Sequence, residues 1–526
     1  MLTLAVLCVT AYLISRHWTR AKHAALPPGP PSKPLIGNIL KIPREDPWIA
    51  LTEMKEKHGK PSSAFLFLLP TVVIHDDTRS GCTPSGDVIF FHGLGNKVLV
   101  LNSLPVINDL LFKRSGIYAY RPVFTVAGEL MGVDHSMVFM QYGKEWQDHR
   151  RLAHIALGLS AVKKYHNVQE DIATLMCKGI LEKPQDFHSI VRLAAGRIVI
   201  TITYGVPVPS GSEYIQFSEE VLDIAGRAVQ PGAYLCDLLP FLKHLPSWMP
   251  FHRDARRGRE AIHNALNKPY QHFLNDLQRG TARPSLAHDL LKDGNENLSP
   301  SEEEKIKWVL GTMYIAGSET THGVTITFIL AMALHPDKQD RAQAEIDSLL
   351  AEEDRMPVVS DLPRLPYLQA IIKETMRWHP VLPFSIARRT TKVHEYNGYT
   401  IPEDTVVIPN IWSIAFAPNE RYDPQAFIPE RFLPENPDPP PEPATYCFGF
   451  GKRSCPGKPL GESTVFIFLA SIIATFKISL PEETINDPPA FQSGLTSFPK
   501  PFKCNIVPRS EAHADRLRRR VDQCQS

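Results

Sequence analysis

One short run of the chain carries the residue types that metal redox chemistry needs. Phe448-Gly449-Phe450-Gly451-Lys452-Arg453-Ser454-Cys455-Pro456-Gly457 sets a single cysteine in a turn-rich loop, directly before a helical pattern from Lys458 to Phe476. A thiolate is a soft, electron-rich metal ligand, and Gly449, Gly451 and Gly457 permit a backbone path that brings a sulfur up to a metal. Phe448 can cover that sulfur. The N–H groups after Cys455 and the start of the following helix can stabilise its charge, and Arg453 offers a guanidinium to a carboxylate. A lone cysteine is more often a buried structural residue; the complete pattern F-x-x-G-x-R-x-C-x-G weighs against that here.

A second constellation lies on a helical pattern running from Ser301, with Glu304 as the partner of a capping box, to Leu334 before His335-Pro336. At 1.5 Å per residue it is roughly 50 Å long. Its middle, Ala316-Gly317-Ser318-Glu319-Thr320-Thr321-His322-Gly323, puts polar groups and two glycines inside an apolar helix. Each internal glycine costs about 1 kcal/mol against alanine, so stability alone would not select this sequence. Threonine back-bonding at a kink is the bland reading. His322 is read as a surface or core histidine. Two further pairs sit one helical turn apart: Glu374 with Arg377, suited to a charge-assisted pair, and Trp146 with Arg150, which alone would read as a surface pair.

Together these motifs closely resemble the cytochrome P450 family over nearly the whole chain from about Leu26 to about Arg509, and fungal secondary-metabolism members in particular. The resemblance implies a mainly α fold with a small β subdomain, the cytochrome P450 fold, and heme b (iron protoporphyrin IX) with an axial thiolate from Cys455. It implies that Thr320 holds a proton-donating hydrogen bond to bound dioxygen, that Glu319 links it to solvent, and that Ala316 and Gly317 open a groove over the iron. It implies that Trp146, Arg150, Arg388 and Arg453 hold heme propionates, and that Arg431, in Pro429-Glu430-Arg431-Phe432, joins Glu374 and Arg377 in a buried network. Two positions depart from the family: Ala387-Arg388 where Pro-His is common, and Ala417-Pro418 where Asp-Pro is usual. Arginine still binds a carboxylate bidentately.

By the same resemblance the protein is a monooxygenase. It takes electrons from a membrane NADPH-cytochrome P450 reductase, with cytochrome b5 as a second donor, and inserts one atom of O2 into a small lipophilic substrate. Apolar segments around Val123 to Val138, Ala316, Phe384 to Ile386 and Gly494 to Ser497 are the expected pocket lining. Lys452 and Lys458 flank the cysteine loop and are expected to attract an acidic reductase surface. Two rivals stay open at this point: a hydroperoxide isomerase on the same fold, and a heme protein without catalysis.

The elements that would position these residues occupy 526 residues of ordinary globular composition, 43% hydrophobic and 21% charged, ample for a large core. Net charge is +1, which gives no general field for nucleic acid, so no nucleic-acid partner is expected. Eight scattered cysteines suggest neither a zinc site nor a disulfide framework. Residues 1–25 hold an apolar run, Leu2 to Ser15, followed by Arg16, His17, Trp18, Arg20 and Lys22. This order reads as a membrane anchor with the following domain on the cytoplasmic side, hence a place at the endoplasmic reticulum membrane. Residues 26–510 read as the catalytic domain, with Pro47 to Gly59 a helix and Asp87 to Ser103 a strand pair turning at Gly93 to Asn96. Residues 60–86 read as an insertion or retained intron, because Phe65 to Ile74 is an apolar run with no evident partner. Residues 511–526 read as a polar tail.

Overall fold

A computed structural model of the chain describes residues 26–33, 36–43, 45–59, 86–207, 212–230, 232–291, 298–351, 353–485 and 489–525. The expected anchor and nearly all of the expected insertion lie outside the described residues. The chain divides into two compact units, Met1–Pro122 with Ile386–Asn410, and Val123–Ser385 with Ile411–Ser526.

The first unit contains helix α1 (Pro47–Gly59) and six strands: β1 (Val88–Gly93), β2 (Asn96–Leu101), β3 (Arg388–Arg389), β4 (His394–Tyr396), β5 (Tyr399–Ile401) and β6 (Val406–Pro409). β1 and β2 form an antiparallel hairpin pairing Val88 with Leu101 and Gly93 with Asn96. Its two turn residues, Leu94 and Gly95, both have positive φ, the backbone hand that matches strand twist in a two-residue hairpin. β6 adds in parallel to β2 and antiparallel to β3, giving the order β1-β2-β6-β3. Asn410 ends β6 and ties the sheet to α1, its Nδ2 donating to Trp48 O at 3.2 Å and to Asn102 Oδ1 at 3.0 Å.

The second unit is helical. Its long elements are α2 (Lys144–Leu157), α3 (His166–Glu182), α4 (Phe187–Tyr204), α5 (Ser212–Ala228), α6 (Pro250–Gln278), α7 (Pro300–Leu334), α8 (Pro336–Leu350), α9 (Pro366–Trp378), α10 (Lys458–Thr475) and α11 (Glu511–Gln525), with one antiparallel pair, β7 (Phe476–Ser479) and β8 (Asn505–Pro508). α7 is the axis. It starts two residues earlier than the sequence suggests, because the capping box is Ser299 with Glu302: Ser299 Oγ accepts from Glu302 N–H, and the Glu302 carboxylate accepts from Ser299 N–H at 3.1 Å. Ser301 and Glu304 already lie inside the helix. α7 packs along α4 and against α2, α5, α6 and α10. α6 carries Pro269 in its interior.

From Thr464 to Thr475, α10 is buried on all sides, which is why this stretch has no polar face; its first turns carry the partly exposed Lys458 and Glu462. Among the described residues it is also the one helix long and apolar enough to cross a membrane, and most of it is buried inside the protein. The expected polar tail is instead an ordered helix, α11. Its turns bring Ala514, Leu517 and Val521 to one buried face, and it packs on α3 and α10, so its charged composition is that of the solvent-facing side.

Candidate active site

The cysteine loop closes on itself: Cys455 N–H donates to Phe448 O at 2.7 Å, and Ser454 N–H to Gly451 O at 3.0 Å. Gly449 (φ +74°) and Gly451 (φ +52°) lie in the left-handed region, where a side chain would be strained. Gly457 is different. Its φ is −81°, and a Cβ there would stand 3.8 Å from Cys455 Sγ, so this glycine supplies room beside the sulfur and not a turn. Burial pushes the Cys455 thiol above its usual range, while the N–H groups of Gly457 and Lys458 and the charge of Arg150 pull the other way. Cys455 nonetheless presents exposed surface. A sulfur enclosed by protein and open on one side faces a recess.

Two cations stand beside this loop. Arg150 on α2 donates from Nη1 to Ser454 O at 2.7 Å, and Arg453 donates from Nη2 to Met140 O at 2.7 Å. Both lie by the Trp146 ring, Arg453 at 4.6 Å and Arg150 at 5.4 Å, contacts that favour the charged form through the ring quadrupole. The indole Nε1 donates to Met137 O at 3.1 Å. Trp146 thus packs against both guanidiniums, and its N–H is committed to backbone. Burial and the Arg150 charge lower the Arg453 pKa to about 10, so an anion between the two arginines would be strongly favoured. Arg388 lies buried on β3 of the first unit, opposite Val407. Lys452 is exposed and donates to Tyr142 Oη at 3.0 Å; Lys458 donates to Ala444 O and lies 3.8 Å from Glu462, which offsets its charge.

On α7, Ala316 is exposed although the helix around it is largely buried, which marks the open side. Gly317 points elsewhere. A Cβ there would come 2.4 Å from Val199 Cγ1, so Gly317 permits the close approach of α7 to α4. This corrects the expectation that it opens the groove with Ala316. Glu319 is partly buried; desolvation raises its carboxyl above the usual range, against a hydrogen bond with Thr496 and the charge of Arg192, and with Glu219 and Asp223 adding to the rise. Thr321 Oγ1 back-bonds to Gly317 O at 3.3 Å. Thr320, half-buried, has no such back-bond among the described residues. His322 is buried in the core with neither ring nitrogen hydrogen-bonded and its ring edge-on to Phe498 at 5.1 Å; burial holds it neutral.

The structure brings Glu374, Arg377 and Arg431 together. Arg377 donates to Glu374 from Nε (2.7 Å, Oε2) and Nη2 (2.9 Å, Oε1), and Arg431 from Nε (3.1 Å, Oε1). Ile428 N–H adds a fourth bond at 2.7 Å. The remaining guanidinium N–H groups satisfy the carbonyls of Ala415, Asp423, Pro424 and Ala426. Sequence reading missed a neighbouring hub. Glu430 Oε1 accepts from Lys338, Arg341 and Tyr367 at 3.1 to 3.2 Å, and the only signal was its place between Pro429 and Arg431.

The second unit therefore offers what a heme requires: a recessed sulfur with N–H support and space beside it, two cations next to it for carboxylates, and an axial helix with an exposed alanine. The cytochrome P450 family model matches residues 83–506. Cytochrome P450 monooxygenase COX2 of Coprinopsis cinerea is 35% identical over 500 residues, covering 92% of this chain and 90% of that protein. Cytochrome P450 monooxygenase claR of Ampulloclitocybe clavipes is 32% identical, covering 97% and 91%. A zebra fish cytochrome P450 solved with abiraterone superposes with a TM-score of 0.66 at 21% identity, over 88% of this chain and all of that one. The chain belongs to the cytochrome P450 family and is a heme-thiolate monooxygenase.

Proposed function

We propose that the protein inserts one oxygen atom from O2 into a small lipophilic secondary metabolite, using electrons from an NADPH-dependent reductase, at the endoplasmic reticulum membrane. The observation that carries this reading is the cysteine loop, with a walled-in but open sulfur at Cys455 held by two backbone N–H groups. Heme bound there supplies dioxygen binding and its reductive activation.

The chain's own residues have separable tasks. Cys455 would hold the heme iron through its thiolate, and Phe448 would cover the loop from solvent. Arg150 and Arg453 would hold the propionates, with the Trp146 ring packed against both guanidiniums. Thr320 Oγ1 donates a hydrogen bond towards the open side of α7 marked by Ala316. Glu319 reloads it, since desolvation keeps its carboxyl protonated to higher pH than usual. Glu374, Arg377 and Arg431 hold the chain behind the loop. Support for a membrane location comes from the apolar run at residues 2–15 and from exposed Leu235, Phe241 and Trp248 close to Lys243, Arg253 and Arg256.

The test is a carbon monoxide difference spectrum, followed by a screen of apolar compounds for a substrate-induced Soret shift and NADPH-dependent turnover with a reductase. A Cys455→Ala protein that retains an unaltered Soret band and full turnover overturns the assignment.

A further inference from the structure

In the second unit the loop from Ala490 to Lys500 folds back on itself. Lys500 N–H donates to Ala490 O at 2.9 Å and Gln492 N–H to Phe498 O at 3.0 Å, so residues 493–497 form its tip. The tip is tied on two sides. On one, Ser497 N–H donates to Val381 O at 2.8 Å, and the hydroxyl of Ser497, a wholly buried residue, lies 2.9 Å from Nε2 of His379, the residue that follows α9. On the other, Thr496 hydrogen-bonds the carboxyl of Glu319 on α7, and Phe498 packs on His322 and Gly323.

The bonds of Ser497 fix the tautomer of the histidine. Ser497 Oγ donates to Gln492 O at 2.8 Å, so from His379 it accepts, and Nε2 carries the proton. Burial lowers the His379 pKa to about 3, which keeps the ring neutral and this arrangement constant around neutral pH. The ring is also stacked on Phe491 at 3.5 Å, at the base of the same loop. Phenylalanine would fill that space and keep the stacking without burying ring nitrogens. What histidine adds is the bond to Ser497.

We infer that His379, acting through Ser497, is a positioning residue for Glu319: it holds the tip of this loop where Thr496 reaches the Glu319 carboxyl. The inference rests on the proposed reading of Glu319 for its catalytic meaning, but not for the tie itself. A carboxyl that passes a proton on must also lose it, and acid–base groups work best when both forms are within reach at working pH. Thr496 serves this by donating to the ionised form, against the desolvation that raises the carboxyl. The other charges facing Glu319 are Arg192 on α4, which acts with Thr496, and Glu219 and Asp223 on α5, which act against it. His188 on α4 and His322 on α7 are held neutral by burial. Drawing Thr496 off the carboxyl therefore leaves Glu319 protonated to higher pH.

The experiment follows, in the holoenzyme, the infrared band of the protonated carboxyl that Glu319→Gln removes, titrated against pH, together with hydrogen exchange of the Gln492 and Ser497 amides. Thr496→Val should move the titration midpoint up by about one pH unit, the worth of one hydrogen bond to a charged acceptor, and leave exchange as in the wild type. His379→Phe should move the midpoint as far and speed exchange at Ser497 about fivefold, as loss of one neutral hydrogen bond would. The double variant should move the midpoint no further than either single one. His379→Gln, which keeps an N–H near the place of Nε2, should restore the wild-type midpoint. A midpoint unmoved in His379→Phe or in Thr496→Val, or additive shifts in the double variant, overturns the inference. If His379→Phe does not fold, Ser497→Ala carries the same expectations. If the midpoints move as stated but the ratio of product to peroxide, measured with a reductase and a compound that shifts the Soret band, shows no matching limb, the role of Glu319 fails and the positioning stands.

Discussion

Replacing Glu374 by alanine removes the one carboxylate that neutralises two guanidiniums in the core. The side chains of Glu374, Arg377 and Arg431 are 0%, 3% and 2% exposed, so water cannot take over the charge. Four hydrogen bonds end on this carboxylate, three of them from charged donors. Breaking a buried pair by removing one partner costs about 3–5 kcal/mol, and two cations left facing each other put the expectation at the upper end, about 5 kcal/mol. At roughly 2 °C per kcal/mol for a domain of this size, the unfolding midpoint should fall by about 10 °C. Glu374→Gln keeps the volume and some acceptors but turns an amide N–H group towards the arginines, so about half that loss is expected. Differential scanning calorimetry gives the midpoints, and the ratio of Soret to protein absorbance gives heme retention. A Glu374→Ala protein less than 2 °C below wild type, or more stable than Glu374→Gln, would refute the reasoning.

Gly317→Ala should destabilise by about 1–3 kcal/mol through overpacking, because the new methyl meets Val199 at 2.4 Å; adding Val199→Ala should restore most of the loss in the unfolding midpoint. Productive coupling of NADPH to product should decline as pH rises through the raised Glu319 pKa, because the proton-holding form is lost; Glu319→Gln should lower coupling and abolish that limb, measured as product against peroxide. The same shift makes the folded state bind the proton more tightly than the unfolded one, so Glu319 contributes stability that fades as pH rises above the ordinary carboxylate range. Deleting residues 511–526 should cost about 2–4 kcal/mol, chiefly from exposing the surface under Leu517 and Val521, since the exposed Arg516–Asp354 and Arg519–Asp354 pairs add little. Thermal unfolding of the truncated chain checks this.

What could be read from sequence was what repeats as a local pattern. The cysteine loop, the α7 core motif and the Glu374–Arg377 spacing each fit in ten consecutive residues or fewer, so residue types alone named them. Direction was not legible: Gly317 and Ala316 are adjacent, yet one faces Val199 and the other the open side, and only the packing of α4 decides which. The start of α7 was misplaced by two residues since Ser299 and Ser301 each have a glutamate three residues on. α11 was missed because its three apolar positions are sparse and its arginines dominate the composition. His379 had no local signal at all, because its partner Ser497 lies 118 residues further along the chain.

Pro269 gives α6 a mechanical consequence. Proline has no N–H, so the carbonyl of Ala265 loses its helical partner and that turn resists bending least. Upstream lie Asp254 and Arg259, which grip Tyr234 and the Leu130 carbonyl; within the weak turn itself, Leu266 wedges against Gly311 of α7. Both grips therefore lie on the N-terminal side of the pinned point, and flexing at this joint swings them together while the rest of the rod keeps its helical bonds.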